Sequence, residues 1–200
     1  MTEATCVSAG SSVRSRVLKD VAGRSVALPR EGRLVHLQFR RFAGCPVCNL
    51  HLRSFARRHH ELQAAGISEV VLFHSPPNEL RPHTADFPFA IVADPDKRLY
   101  AEFGVTASPR ALLDPRAWFP ILRAIAFAFV GLLTGTARMP AANPHGGRLG
   151  LPADFLIAPD GRVIACKYGE HVDDHWSVDE VLALARAEQD RCAAVPSAAG

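Results

Sequence analysis

The sequence has little charge of either sign in excess: 23 Lys and Arg against 20 Asp and Glu leave a formal +3, scattered along 200 residues. A nucleic-acid groove is therefore not expected, and neither is a polybasic membrane patch. The first twenty residues hold no apolar run that could serve as a signal-peptide core, so no secretion is expected. Cysteines are few and odd in number, at positions 6, 45, 48, 166 and 192, in a chain long enough to bury its own core. A disulfide framework is thereby excluded, and a cytoplasmic protein with a few special thiols is the expectation. No second Cys-x-x-Cys and no paired-histidine motif supplies further zinc ligands, and residue 49 is Asn where c-type haem attachment requires His. No metal or other cofactor is called for.

What is present is an ordinary globular composition, 48% apolar and 22% charged, which fits one domain over residues 13–192 between tails at 1–12 and 193–200. Alternation over residues 20–28 about Ala22-Gly23 predicts a hairpin at the domain edge. Residues 34–39 predict the first central strand, with Val35, Leu37 and Phe39 on one face. His36 and Gln38, on the other, are expected to be hydrogen-bonded core groups. Residues 46–65 carry Cys48, Leu52, Phe55, His59 and Leu62 at helical steps, Gly66 stops that helix, and residues 69–73 read as a buried parallel strand. Strand, helix, strand makes a βαβ unit. Prolines limit residues 78–83 to a turn of helix, 89–92 predict a third strand, and 96–103 another helix. A hairpin at 153–158 and 162–167 precedes a last helix, opened at Ser177 and Glu180 by a capping box. The fold class is α/β, a central mixed sheet flanked by helices.

An insertion at about 106–148 interrupts this order. Its middle, residues 117–133, contains one charge, Arg123, and one proline, Pro120. It is shorter than the ~20 apolar residues that cross a bilayer. It reads as a helix that is buried or forms a homodimer contact, with a membrane-surface or lid helix second and a spanning helix last.

Cys45-Pro46-Val47-Cys48, placed between a strand and a helix, carries the chemistry. Pro46 suits the first helical position, which makes Cys45 the N-cap. Its sulfur then faces free amide groups at the positive end of the helix dipole, with Arg40 and Arg41 in the preceding loop, and all three favour thiolate. Cys45 is expected to face solvent as the nucleophile. Cys48, on the inward stripe, suits a sheltered resolving thiol. His74, past the end of the strand 69–73, shares the sheet end where Cys45 lies and could line the site as acid or hydrogen-bond donor. His59 is excluded by about 21 Å of helix. Cys6, Cys166 and Cys192 read as incidental.

Strand, Cys-x-x-Cys, helix, strand, then Leu151-Pro152 before a hairpin and a terminal helix, resembles the thioredoxin fold. That resemblance implies a cis-proline at Pro152, packed against the cysteines. Residues 39–48, 71–75 and 89–105 resemble the peroxiredoxin-like branch of the AhpC/TSA superfamily, the branch related to selenoprotein L and the prostamide/prostaglandin F synthases. The family's Pro-x-x-x-Thr-x-x-Cys pattern sets Cys48 on the peroxidatic position, Cys45 on the threonine and Arg41 on the proline. Helix geometry thus favours Cys45 as nucleophile and alignment favours Cys48. The resemblance implies reduction of hydrogen peroxide or of organic and lipid hydroperoxides, with thioredoxin or glutathione returning the dithiol. A general thiol-disulfide reductase and a non-catalytic redox sensor or partner-binding domain are the competing readings.

Overall fold

The computed structural model describes residues 6–135, 138–139 and 143–194. A hairpin of β1 (Arg16–Lys19) and β2 (Ser25–Leu28) opens the fold, as the alternation predicts. β3 (Leu34–Arg40) leads into α1 (Pro46–Arg57). One continuous helix was expected here, but at Arg58 the backbone leaves helical values (φ −106°, ψ 18°) and a separate α2 (His59–Ala64) follows. β4 (Ile67–Phe73), α3 (Pro77–Thr84), β5 (Ala90–Ala93) and α4 (Arg98–Glu102) come next. The expected single turn at 78–83 is instead a helix of 8 residues that opens at Pro77, where no N–H is needed, and carries Pro82 inside it. α5 (Arg110–Leu113) and α6 (Pro115–Leu133) form the insertion. β6 (Ala153–Ile157), β7 (Val163–Tyr168) and α7 (Val178–Ala194) complete the chain. The capping box forms: the Ser177 N–H donates to Glu180 Oε2 (2.7 Å) and the Glu180 N–H to Ser177 Oγ (3.3 Å).

The five-stranded sheet has the order β5-β4-β3-β6-β7, with β3, β4 and β5 parallel and β6 and β7 antiparallel. Each central strand is buried on both sides, and the strand period of two deals its side chains to two clusters. Val35, Leu37, Phe39, Leu72, Tyr100, Phe103 and Phe155 fill one. Cys45, Cys48, Leu52, Phe55, Val71, Leu156 and Val181 fill the other, between the sheet and the helices α1 and α7. Residues expected in the N-terminal tail run along β7: the Gly10 N–H donates to Val163 O, the Val163 N–H to Ser11 O and the Val13 N–H to Gly161 O, each 2.8 Å. Residues 1–5 and 195–200 of the expected tails lie outside the described residues.

Candidate active site

β3 and β4 are parallel, so the segments following them leave the same end of the sheet. Two hydrogen bonds join those segments: the His74 N–H donates to Arg41 O (3.2 Å), and the Ala43 N–H donates to Ser75 Oγ (2.9 Å). Gly44, at φ +75°, makes the left-handed turn that delivers Cys45 to the N-cap of α1. Pro46 lies in the first turn, as expected.

The Cys45 sulfur accepts from the Cys48 N–H at 3.4 Å and from the Cys48 thiol at 2.7 Å. Both cysteines are free and in reach of the about 2.05 Å of an S–S bond by a small movement of side chains. Burial raises the Cys45 pKa. Donation by the Cys48 thiol, the Arg41 guanidinium and the N–H groups of Cys48 and Val47 outweigh it and bring the thiol down to about 6. Cys48 moves the other way, pushed well above 9 by burial, by donating its proton to Cys45 and by the charge on that sulfur. The two thiols thus shift in opposite directions, Cys45 down and Cys48 up.

Cys45 does not face solvent; it is 2% exposed. The segment 143–151 is tied over this end of the sheet. Arg148 O accepts from Arg41 Nη2 (2.8 Å), His145 O from His74 Nδ1 (3.0 Å) and Gly146 O from Lys97 Nζ (3.0 Å). Arg41 and Arg148 hold their guanidinium carbons 5.2 and 5.3 Å from the centre of the Phe42 ring. Gly146 is required there: at φ +74°, a Cβ on it would stand 2.6 Å from His74 Nδ1. His74 is buried, and its Nε2 has no hydrogen-bond partner among the described residues. Burial, then the charge of Lys97, lowers its pKa to about 4, so near neutrality the ring is uncharged. With Nδ1–H donating to His145, Nε2 is an acceptor, not the acid the sequence suggested.

Arg40 is not at the thiolate. It ends the polar face of β3, and its Nη2 donates to Asp154 Oδ1 (2.7 Å), Gln38 Oε1 (2.6 Å) and His51 Nε2 (3.0 Å). His36 completes the network, its ring nitrogens 3.1 Å from Glu69 Oε2 and 3.1 Å from Asp154 Oδ1. Gln38 also donates to Glu69. Burial depresses the His36 pKa, but the Glu69 charge and the bonds to both carboxylates raise it to about 9. His36 and Gln38 are therefore hydrogen-bonded core groups, as expected, in a larger network than expected. Tyr100, also unanticipated, donates to Arg40 O and to Leu72 O (3.0 Å) and so ties the ends of β3 and β4 together.

The implied cis bond at Pro152 is absent; among the described residues the cis peptide is Leu28–Pro29. Pro152 still opens β6 at this end, and Leu151 packs on the cluster that holds both cysteines. Cys6, Cys166 and Cys192 lie elsewhere: Cys6 beside Gly104, Cys166 on β7 and Cys192 near the end of α7.

Solved structures share this fold. A peroxidoxin, BcpB, of Mycobacterium tuberculosis is 19% identical over 90% of this chain and 97% of its own, with a TM-score of 0.63. A peroxiredoxin 6 of Arenicola marina is 15% identical over 96% and 80%, with a TM-score of 0.65. Peroxiredoxin Q of Xanthomonas campestris is 17% identical over 86% and 90%, with a TM-score of 0.58. Identities this low show the fold alone. No curated protein sequence matches the chain. The family model described as AhpC/TSA antioxidant enzyme matches residues 54–171, more than half of the chain, beginning after the cysteine turn. The scaffold rather than the cysteine motif carries the match, and the chain belongs to the AhpC/TSA antioxidant enzyme family.

Proposed function

We propose that the protein is a dithiol peroxidase in which Cys45 attacks and Cys48 resolves. The observation that carries this reading is the Cys45 sulfur at the N-cap of α1, held as thiolate by the Cys48 thiol and Arg41. The thiolate attacks the outer oxygen of a hydroperoxide, ROOH. The O–O bond breaks, Cys45 becomes a sulfenic acid, and ROH leaves after taking one proton from solvent. The Cys48 sulfur then attacks the Cys45 sulfur, the S–OH bond breaks, water departs with the Cys48 proton, and the pair closes as a disulfide. Two electrons have passed to the peroxide. An external dithiol, thioredoxin, or two equivalents of glutathione return them by thiol-disulfide exchange. Arg41 supplies positive charge at the developing alkoxide. With five cysteines and no disulfide called for, the cytoplasm is the compartment that suits this cycle.

One observation favours a second reading, a general thiol-disulfide reductase: Cys45 stands where the family pattern has a threonine, so the hydroxyl that would orient peroxide is missing. A thioredoxin-coupled assay with hydrogen peroxide, an organic hydroperoxide and insulin as alternative oxidants tests both. Turnover of a hydroperoxide well above insulin, abolished in Cys45→Ser, is the expected result. Turnover of insulin alone overturns the peroxidase reading in favour of the reductase.

A further inference from the structure

The run 117–133 reads as too short to span, but α6 extends over Pro115–Leu133, 19 residues, and is long and apolar enough to cross a membrane by length and composition; here it packs beside α1. It contacts the domain through a narrow seam of small residues, with Ala117 and Ala124 buried and Ile121 packed on the core. Val47 and Leu50 of α1 meet Phe119, Pro120 and Ala124; farther along, Arg53 and Ala56 meet Phe127. The two helices therefore run side by side in the same direction over residues 117–127 of α6, a helix about 28 Å long.

Among the described residues nothing covers the opposite side. Trp118, Phe119, Leu122, Ile125, Phe129 and Leu133 are all exposed, Phe119 at 74%. At 100° per residue they share one arc roughly 120° wide. No Asp or Glu occurs in residues 115–133. Against the expectation from the scattered charge of the sequence, arginines gather along the border towards α1 and α3. Arg123 lies on the edge of the arc, the Arg53 guanidinium carbon is 5.9 Å from the Phe127 ring centre, Arg57 shares that crevice with His83, and Arg138 is close enough to act on His83. None of these four makes an ion pair among the described residues, and the acids beside them are Asp86 and Asp173.

An apolar arc with aromatic residues and an arginine border is the form of a helix resting in the headgroup region of an anionic bilayer. A second copy suits it less well: a two-fold contact would set this border against itself, with few acids to receive it. We propose that the outward face of α6 docks on an anionic phospholipid bilayer. Because the seam meets α1 in the turn that follows Cys45, docking brings hydroperoxides carried on lipid acyl chains to the redox helix. That consequence rests on the peroxidase reading; the docking itself does not.

Cosedimentation with vesicles of phosphatidylcholine alone, and of three parts phosphatidylcholine to one part phosphatidylglycerol, measures docking without turnover, so its failure would leave the dithiol reading standing. The full chain is expected to partition on the order of 100-fold more strongly onto the anionic vesicles, and high salt should erase most of that difference. Phe129→Glu and Leu122→Glu, both at exposed positions, should each weaken binding about tenfold or more, with circular dichroism checking the fold. The triple change Arg53→Gln, Arg57→Gln and Arg123→Gln should remove the preference for anionic lipid. Protein that stays in the supernatant with both vesicles overturns the proposal, and a stable dimer by sedimentation equilibrium would then assign the face to a second copy. Equal, salt-insensitive binding to both vesicles overturns the anionic commitment.

Discussion

Burial and hydrogen bonding act on the Cys45 thiol in opposite directions, and hydrogen bonding, helped by Arg41, prevails. The consequence is a pH profile. Alkylation of Cys45 by iodoacetamide should follow one ionisation near pH 6 and be level above about pH 7, because the thiolate is the reacting form. Cys48 should stay unlabelled through that range, its proton held by burial and by the neighbouring charge. Arg41→Met should move the Cys45 midpoint upwards; Arg40→Met should leave it in place, since the Arg40 guanidinium is committed to Asp154, Gln38 and His51. Equal shifts from both arginines, or faster labelling of Cys48, would contradict this account. The sequence treated the two arginines alike. Extending the alternation of His36 and Gln38 by one step puts Arg40 on their face of β3 and frees Arg41 for the loop, so the distinction was readable from the period of two.

The strands β3, β4 and β6 were legible from their apolar patterns, but the ionic layer between them was not. Register is what creates it: His36 pairs with Glu69 across one edge of β3, and Gln38 with Asp154 across the other. A sequence fixes which face a residue takes, not which neighbour it meets. Arg40 and Asp154 are both fully buried, and removing one partner leaves a charge without compensation. Asp154→Ala should cost about 3–5 kcal/mol in urea unfolding; a cost under about 1 kcal/mol would mean that water reaches the network. The raised His36 pKa also makes stability depend on pH. A group held protonated by the fold stabilises fully below its unfolded pKa of about 6.5, and that contribution is lost as pH rises through about 9. The lowered Cys45 pKa works in reverse, adding stability as pH rises from about 6. In Cys45→Ser the Cys45 effect is gone, and the histidines whose pKa the fold lowers, His51, His74, His83 and His175, add their stability as pH rises to about 7.5 and no more above it, so Tm should fall from about pH 7.5 to about pH 9. A level or rising Tm would mean that His36 is not held as a cation.

Across the whole molecule, the features readable in advance were those set by local pattern: the βαβ unit, the terminal hairpin, the capped last helix and the cysteine turn. What was not readable depends on distant segments meeting. The cover formed by 143–151 is built from carbonyl groups, which no side-chain pattern reveals, and it ties down Arg41, His74 and Lys97 at the end of the sheet where Cys45 lies. The break at Arg58 and the trans peptide before Pro152 depart from an expected continuous helix and from an implied cis bond. The apolar character of α6 was plain, whereas its seam along α1 required the packing of both helices.

All of these parts converge on a dithiol that exchanges two electrons with a hydroperoxide, and one mapping experiment tests that most directly. Trypsin cleaves after Arg41 and Arg53, leaving both Cys45 and Cys48 on the single peptide 42–53. Reduced protein treated with one equivalent of hydroperoxide, blocked at its remaining thiols and digested, should show that peptide unblocked and lighter by two hydrogens, with Cys6, Cys166 and Cys192 fully blocked. Oxidation that falls mainly on those three cysteines, or a 42–53 peptide recovered with both thiols blocked, would contradict the account.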